Sequence, residues 1–231
     1  MNSSKNIFVV VPAFNEEETL YDVLNSLIQR NYNVIVVDDG SNDKTFEIAS
    51  NIARRNKLYL FKHVINLGLG AALKTGFEAA LKKGADIVVT FDADKQHNPN
   101  DIKKICKPIL NGSAEAVIGS RTFNQMPMPQ KVGNHIMNLL TRIFYRADVK
   151  DSQSGLRAFS RKAVETININ LRGYGVSSEI IREIKNNNIK MEEVSIETIY
   201  NDYSLSKGTN TKEGLKILSK MLIDIFKRVL I

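Results

Sequence analysis

The sequence predicts an α/β chain built on a doubly wound, mostly parallel sheet, and three observations carry that prediction. Short apolar, β-branched runs recur at residues 7–11, 34–37, 58–61, 87–91 and 116–119, as in strands buried on both faces. Segments with apolar residues at three- and four-residue steps lie between them with short connections, the β-α alternation of a parallel sheet. Two of the runs end abruptly in acidic pairs, Asp38-Asp39 and Asp92-Ala93-Asp94. Open α/β sheets bind their ligands at such carboxyl ends of strands.

Pro12 stops the first strand, residues 7–11. Asn15 is the expected N-cap of the helix that follows, with Glu18 at the capping-box position. Leu20, Val23, Leu24, Leu27 and Ile28 form the buried stripe of that helix. The second strand, 34–37, ends in Asp38-Asp39-Gly40-Ser41, and a helix over 44–56 and a strand over 58–61 come next. Residues 66–70 form a turn before a helix that reaches Lys83. After the strand at 87–91, Asn98 and Pro99 are the expected N-cap and first residue of a helix that covers 100–111. Beyond the strand at 116–119, Met126-Pro127-Met128-Pro129 breaks the chain before a helix over 131–145. A polar turn, Asp151 to Gly155, leads to a short strand at 156–159, a helix near 178–185 and a strand near 194–199. A polar loop over 201–211 and a final helix from 212 close the chain.

The 231 residues fit one large domain, or one domain with an extension, and a hydrophobic fraction of 43% suffices for a sizeable core. No apolar run approaches the roughly 18 residues of a transmembrane helix, and the N-terminus turns acidic too early for a signal peptide. The single cysteine, Cys106, forbids an intrachain disulfide and fits a reducing cytoplasm. It lies among Ile102, Ile105 and Ile109, as a core thiol would. The net charge of +7 and pI of 9.4 imply an anionic partner. Charge alone admits nucleic acid, a membrane surface or a phosphorylated small molecule. The excess is concentrated in residues 121–162, where eight Lys or Arg face two Asp.

Side chains two apart on a strand share a face, so Asp92 and Asp94 converge on one spot. Carboxylates so placed raise each other's pKa, and a divalent cation relieves the conflict, Mg²⁺ or Mn²⁺ suiting hard oxygen ligands. A dinucleotide-binding domain needs glycines after the first strand, but Pro12-Ala13-Phe14-Asn15-Glu16 has none. Gly68 and Gly70 are followed by Leu73 where the third glycine belongs. A phosphorelay receiver would use Asp38, Asp39 and Asp92, yet needs only about half this length and leaves the basic second half without a role. A transferase handling a nucleoside diphosphate accounts for both, with acidic residues on a metal and a basic region on a second anionic substrate.

Six segments occur in order: VPAFNEEETL, VVDDGSNDKT, NLGLGAALKTGF, TFDADKQHNP, VIGSR and DSQSGLRAF. In this register they resemble the family 2 glycosyltransferases, most closely the dolichol-phosphate mannose and glucose synthases, over roughly residues 6 to 210. The resemblance implies a GT-A nucleotide-sugar-binding domain over residues 1–211 and transfer of a hexose from UDP or GDP to a polyprenyl (dolichyl) phosphate. It sets Pro12, Phe14 and Glu16 on the nucleotide, and Val37 and Asp39 on the base and ribose with Asp38 close by. Asp92 and Ala93 fall against the sugar nucleotide, and Asp94 and Gln96 against the metal. His97 is expected to support that motif without ligating. Arg121, with Lys131 and Asn134 nearby, falls on the acceptor phosphate, and Asp151, Ser154 and Gly155 near the reaction centre. Arg157, Arg161 and Lys162 are expected to form a solvated basic face. Lys207 is a candidate pyrophosphate contact. The Arg and Gly of the mannose synthases' late Arg-x-x-Gly-x-Ser-Lys pattern are missing from Asn201 to Lys207. That departure weakens mannose as the donor sugar and leaves glucose or N-acetylglucosamine from UDP open.

In the last helix, 212–231, Leu215, Leu218, Leu222, Ile225 and Val229 recur at helical spacing, with Lys216, Lys220 and Lys227 on another side. Such a helix packs on a core or a partner, or lies amphipathically in a membrane interface. The implied partners are therefore a nucleotide sugar, a polyprenyl phosphate, a membrane surface on its cytoplasmic side, and a second copy or a separate membrane subunit. Nucleic acid is not among them.

Overall fold

The computed structural model describes residues 5–122, 128–145, 147–170 and 175–199. These residues form a seven-stranded sheet of order β3-β2-β1-β4-β6-β5-β7. Its strands are β1 (Ile7–Ala13), β2 (Asn33–Asp38), β3 (Leu58–Lys62), β4 (Ile87–Thr90), β5 (Ala116–Arg121), β6 (Arg157–Ser160) and β7 (Met191–Ile196). Every neighbouring pair is parallel except those of β6, which runs against both β4 and β5. The start of β6 therefore lies at the same end of the sheet as the carboxyl ends of the other strands.

Helices cover both faces, which is why the strands read as continuous apolar runs. On one face Val9, Val11, Val34, Val36 and Val89 pack with α1 (Leu20–Ile28), α2 (Thr45–Ala53) and α4 (Asp101–Leu110). On the other, Phe8, Val10, Ile35, Val37 and Val88 pack with α3 (Leu69–Lys82), α6 (Arg161–Thr166) and α7 (Val176–Asn186). The alternation is the period-2 geometry of a strand. The remaining helix, α5 (Met128–Tyr145), joins β5 to the turn before β6. Cys106 is buried within α4, where desolvation pushes its thiol up to about 12, so it is a packing residue.

Several local expectations are corrected. Asn15 does not cap α1: it adopts a left-handed φ of 54°, and its side-chain oxygen accepts from the Asn42 N–H at 2.9 Å. It ties the β1 loop to the β2 loop, and the helix begins one turn later. Asn98, by contrast, makes the bond expected of an N-cap, its side-chain oxygen accepting from the Asn100 N–H at 3.0 Å, although the regular helix α4 begins only at Asp101. The strand expected near 194–199 is β7, three residues earlier, because β5 sets its register from Ala116↔Met191 to Arg121↔Ile196. Helix α6 was not foreseen. The final loop and helix, with Lys207, lie outside the described residues.

Candidate active site

The carboxyl ends of β1, β2 and β4 lie side by side. Pro12 pairs with Val37 and Ala13 with Asp38, while the Asp39 N–H donates to the Ala13 carbonyl and the Phe91 N–H to the Val10 carbonyl. Phe14, 39% exposed, projects beyond β1. Glu16 follows it, its amide donating to the Thr45 hydroxyl at 2.8 Å. Asp38 is buried; one oxygen accepts from the Ser41 N–H and the other has no partner among the described residues.

Asp39 is engaged by the loop after β3. Its Oδ1 accepts from the Leu67 N–H at 3.0 Å and its Oδ2 from the Gly68 N–H at 2.7 Å. His63 Nδ1 lies 2.6 Å from the same Oδ1, and the other ring nitrogen meets the Thr75 hydroxyl at 2.9 Å. Gly40 permits this wrapping: its φ is +73°, and a Cβ there would come within 2.5 Å of the Ile65 carbonyl carbon. His63 carried no motif signal in the sequence.

Beyond β4, Asp92 is hydrogen-bonded to His97 Nε2 at 3.0 Å, and the imidazole packs edge-on to Phe91. His97 thus supports the acidic motif from within the protein. The Asp92 side chain is 36% exposed but crowded on its remaining sides. Desolvation raises its pKa, yet the His97 hydrogen bond and the charges of His97, Arg157 and Arg121 prevail and hold it below the usual carboxylate range. Asp94 goes the other way: burial, then the neighbouring Asp92 charge, push it up to about 6. Two adjacent carboxyls with opposed shifts are a signature of a functional site. Gly155 lies directly against this pair, since a Cβ there would sit 1.9 Å from Asp92 Oδ2. The DSQSG turn therefore needs glycine to let Asp92 keep its position.

Next to it, Asp151 is fully buried and grips Arg121 through two parallel bonds, Nε to Oδ2 at 2.6 Å and a terminal nitrogen to Oδ1 at 2.9 Å. The Arg121 backbone N–H and the Asn134 amide, from β5 and α5, also donate to it. Burial raises the Asp151 pKa, but Arg121 and Asn134 outweigh it and hold the carboxyl low. One edge of the Arg121 guanidinium is thus held inside the protein. Lys131 is half-buried on the same helix.

Arg157 is the clearest correction. Expected on a solvated face, it is only 2% exposed. On β6 it is paired with Thr90 on one side and Ile118 on the other, and it donates to the Ser152 carbonyl at 3.1 Å. Burial lowers its pKa to about 10, while the Asp92 and Asp151 charges resist. It is a buried cation between the acidic motif and Asp151. Arg161 and Lys162, by contrast, pair on the surface with Glu165 and Glu115.

The oxygen-rich set Asp92, Asp94 and Gln96 fits a hard divalent cation. Asp94 at about 6 is destabilised as an anion by its surroundings, and Mg²⁺ characteristically takes only one or two carboxylates and draws its other ligands from phosphates and water. No group of three or more His, Cys, Asp or Glu is gathered for a metal among the described residues. Protein groups there supply only part of a coordination shell.

The model of the family described as "Glycosyl transferase family 2" matches residues 8–167. Among similar proteins, the UDP-N-acetylglucosamine–dolichyl-phosphate N-acetylglucosaminyltransferase of Methanococcus voltae is 41% identical, covering 99% of each chain. The dolichol-phosphate mannosyltransferase of Pyrococcus furiosus is 32% identical over 81% of this chain and 55% of its own. Among solved structures, glucosyl-3-phosphoglycerate synthase from Mycobacterium tuberculosis, in complex with Mn²⁺, UDP and phosphoglyceric acid, superposes with a TM-score of 0.73. It is 21% identical, and the match covers 96% of this chain and 79% of that one. The parallel sheet with its single opposed strand is the GT-A fold, and the protein is an enzyme belonging to glycosyltransferase family 2.

Proposed function

We propose that the enzyme transfers a hexose from a nucleoside-diphosphate sugar to a polyprenyl phosphate, with inversion at the anomeric carbon. One observation carries this most directly: a donor-side acidic pair and a buried arginine–carboxylate–arginine cluster meet at one end of the sheet through Gly155 and Arg157. The relatives named for dolichyl-phosphate and dolichol-phosphate transfer support it.

A phosphate monoester is largely dianionic at neutral pH and is itself a nucleophile, so the chain's residues have orientation and charge to supply. Asp151, itself fixed by the Asn134 amide, holds the Arg121 side chain, and Arg121 would meet the acceptor phosphate. His97 fixes the Asp92 rotamer, and Asp92 stays ionised beside the sugar. Asp94 and Gln96 would hold the divalent cation, Mg²⁺ or Mn²⁺, which when bound neutralises the charge of the departing nucleoside diphosphate. Lys207 is proposed to join it there. The test is product formation by purified protein with Mg²⁺ or Mn²⁺, a panel of UDP- and GDP-sugars and a short-chain polyprenyl phosphate, followed by mass spectrometry. A glycosyl polyprenyl phosphate is expected. Transfer to a soluble acceptor alone would refute the lipid assignment, and binding without turnover would favour a sugar-nucleotide sensor.

Among the described residues no helix is long and apolar enough to cross a membrane. Helix α5 nevertheless shows an exposed apolar stripe of Met128, Val132, Ile136, Leu139 and Ile143, each 43–68% exposed. At about 100° per residue these span an arc of about 80°. Lys131, His135 and Arg142 flank it, and Asn134 on the opposite side is buried against Asp151. An apolar stripe bordered by cations suits an anionic lipid surface, on the cytoplasmic leaflet in this proposal. It would bring the lipid phosphate within a helix width of Arg121. The double variant Ile136→Glu/Leu139→Glu is expected to weaken binding to anionic vesicles by at least about tenfold, one buried apolar side chain's worth, with donor affinity unchanged. Undiminished flotation would remove α5 from the membrane contact.

A further inference from the structure

We infer that the donor carries a uracil-type base rather than guanine, and that His63 is the positioning residue behind this choice. The inference rests on the donor site of the proposed function, with Asp39 on the base as the family resemblance implies. A carboxylate offers about four lone-pair positions. Three of those on Asp39 are taken within the protein. The successive N–H groups of Leu67 and Gly68 fork onto its two oxygens, at 3.0 and 2.7 Å. This is the paired arrangement in which a carboxylate would otherwise accept two adjacent donors from a ligand. His63 Nδ1 takes the second position on Oδ1. A carboxylate oxygen accepts, so the His63 Nδ1–H donates to it, while Nε2 meets the Thr75 hydroxyl at 2.9 Å. Among the described residues this leaves one acceptor position, on Oδ2.

Guanine presents two neighbouring donors, the ring N1–H and the exocyclic amine, and a carboxylate reads it with both oxygens. Asp39 cannot do so while Leu67 and Gly68 occupy that edge, and one guanine donor would be left unpaired on desolvation. Uracil and thymine present a single ring N–H flanked by two carbonyls, which matches one remaining lone pair. His63 enforces the match by pinning Asp39 from α3, through Thr75. Because it acts on the carboxylate's orientation, its loss should change the ratio of base affinities and not merely their level.

Titration calorimetry of the full-length enzyme with Mn²⁺ and each of UDP, dTDP and GDP tests this. UDP is expected to bind at least about tenfold tighter than GDP, the scale of leaving one desolvated donor unpaired. dTDP separates recognition of the base from recognition of the ribose 2′-hydroxyl. Its binding well above GDP supports the base assignment, and its failing to exceed GDP overturns it. In His63→Leu the UDP:GDP ratio should fall by at least about threefold, a partial loss of that preference. His63→Asn, which can return an N–H to Asp39, should restore it. Equal weakening of both nucleotides in His63→Leu, with the ratio intact, would overturn the positioning role. GDP binding as tightly as UDP would overturn the base assignment while leaving the glycosyltransferase proposal standing. Absence of binding by all three would sink both.

Discussion

Asp94→Asn is expected to lower turnover by about a hundredfold or more, the scale of losing a principal charge stabiliser, while thermal stability stays the same or rises slightly. The stability follows from the site. Asp94 is held at about 6 by burial and by the adjacent Asp92, so the folded protein tolerates its charge reluctantly, and a neutral amide relieves that conflict. The activity follows from the same electrostatics, because a carboxylate made uncomfortable by its neighbours is the one with most to gain from a cation. Metal binding requires the deprotonated form. The apparent metal affinity of the wild type should therefore weaken as pH falls through about 6, and the Asn variant should lose that dependence. Turnover at several Mn²⁺ concentrations and two pH values checks both statements. Wild-type turnover in the Asn variant, or full activity in excess chelator, would show that Asp94 holds no catalytic cation.

Arg157→Met should destabilise the fold by about 3–5 kcal/mol, the usual cost of stripping the partner from a buried charge. For a chain of this size that corresponds to a fall in Tm of the order of 10 °C. Met fills most of the volume but abandons the Ser152 carbonyl and removes the cation that resists protonation of Asp92 and Asp151. Arg157→Lys keeps the charge without the planar reach of the guanidinium, so it should recover part of the stability. Differential scanning calorimetry with parallel kinetics decides it. A Met variant with wild-type Tm would return Arg157 to the solvated face on which its sequence context placed it.

These two residues show where legibility ends. Asp94 announced itself because its signal is local: two carboxylates two apart at the end of a β-branched run. Arg157 stands in a basic stretch with Arg161 and Lys162 close behind, and its neighbours along the chain suggest solvent. Its true neighbours are Thr90 and Ile118 on β4 and β5, which only sheet pairing brings to it. The cap expected at Asn15 failed for a related reason. Asn15 has the chemistry of a helix cap, but the distant Asn42 N–H took its side-chain oxygen.

The sequence by itself determined the α/β class, the order of strands and helices along the chain apart from α6, and the acidic residues at the ends of β2 and β4. All of these follow from periodicity and from chemistry carried within a few residues. Tertiary structure alone decided that β6 runs backwards between β4 and β5, and this one reversal brings Gly155 against Asp92, Asp151 onto Arg121 and Arg157 between the acidic groups. It also decided that Asp39 turns both oxygens to Leu67 and Gly68. Hydrogen bonds and burial depend on which groups meet after folding, and partners separated by tens of residues leave no local pattern from which their meeting could be read.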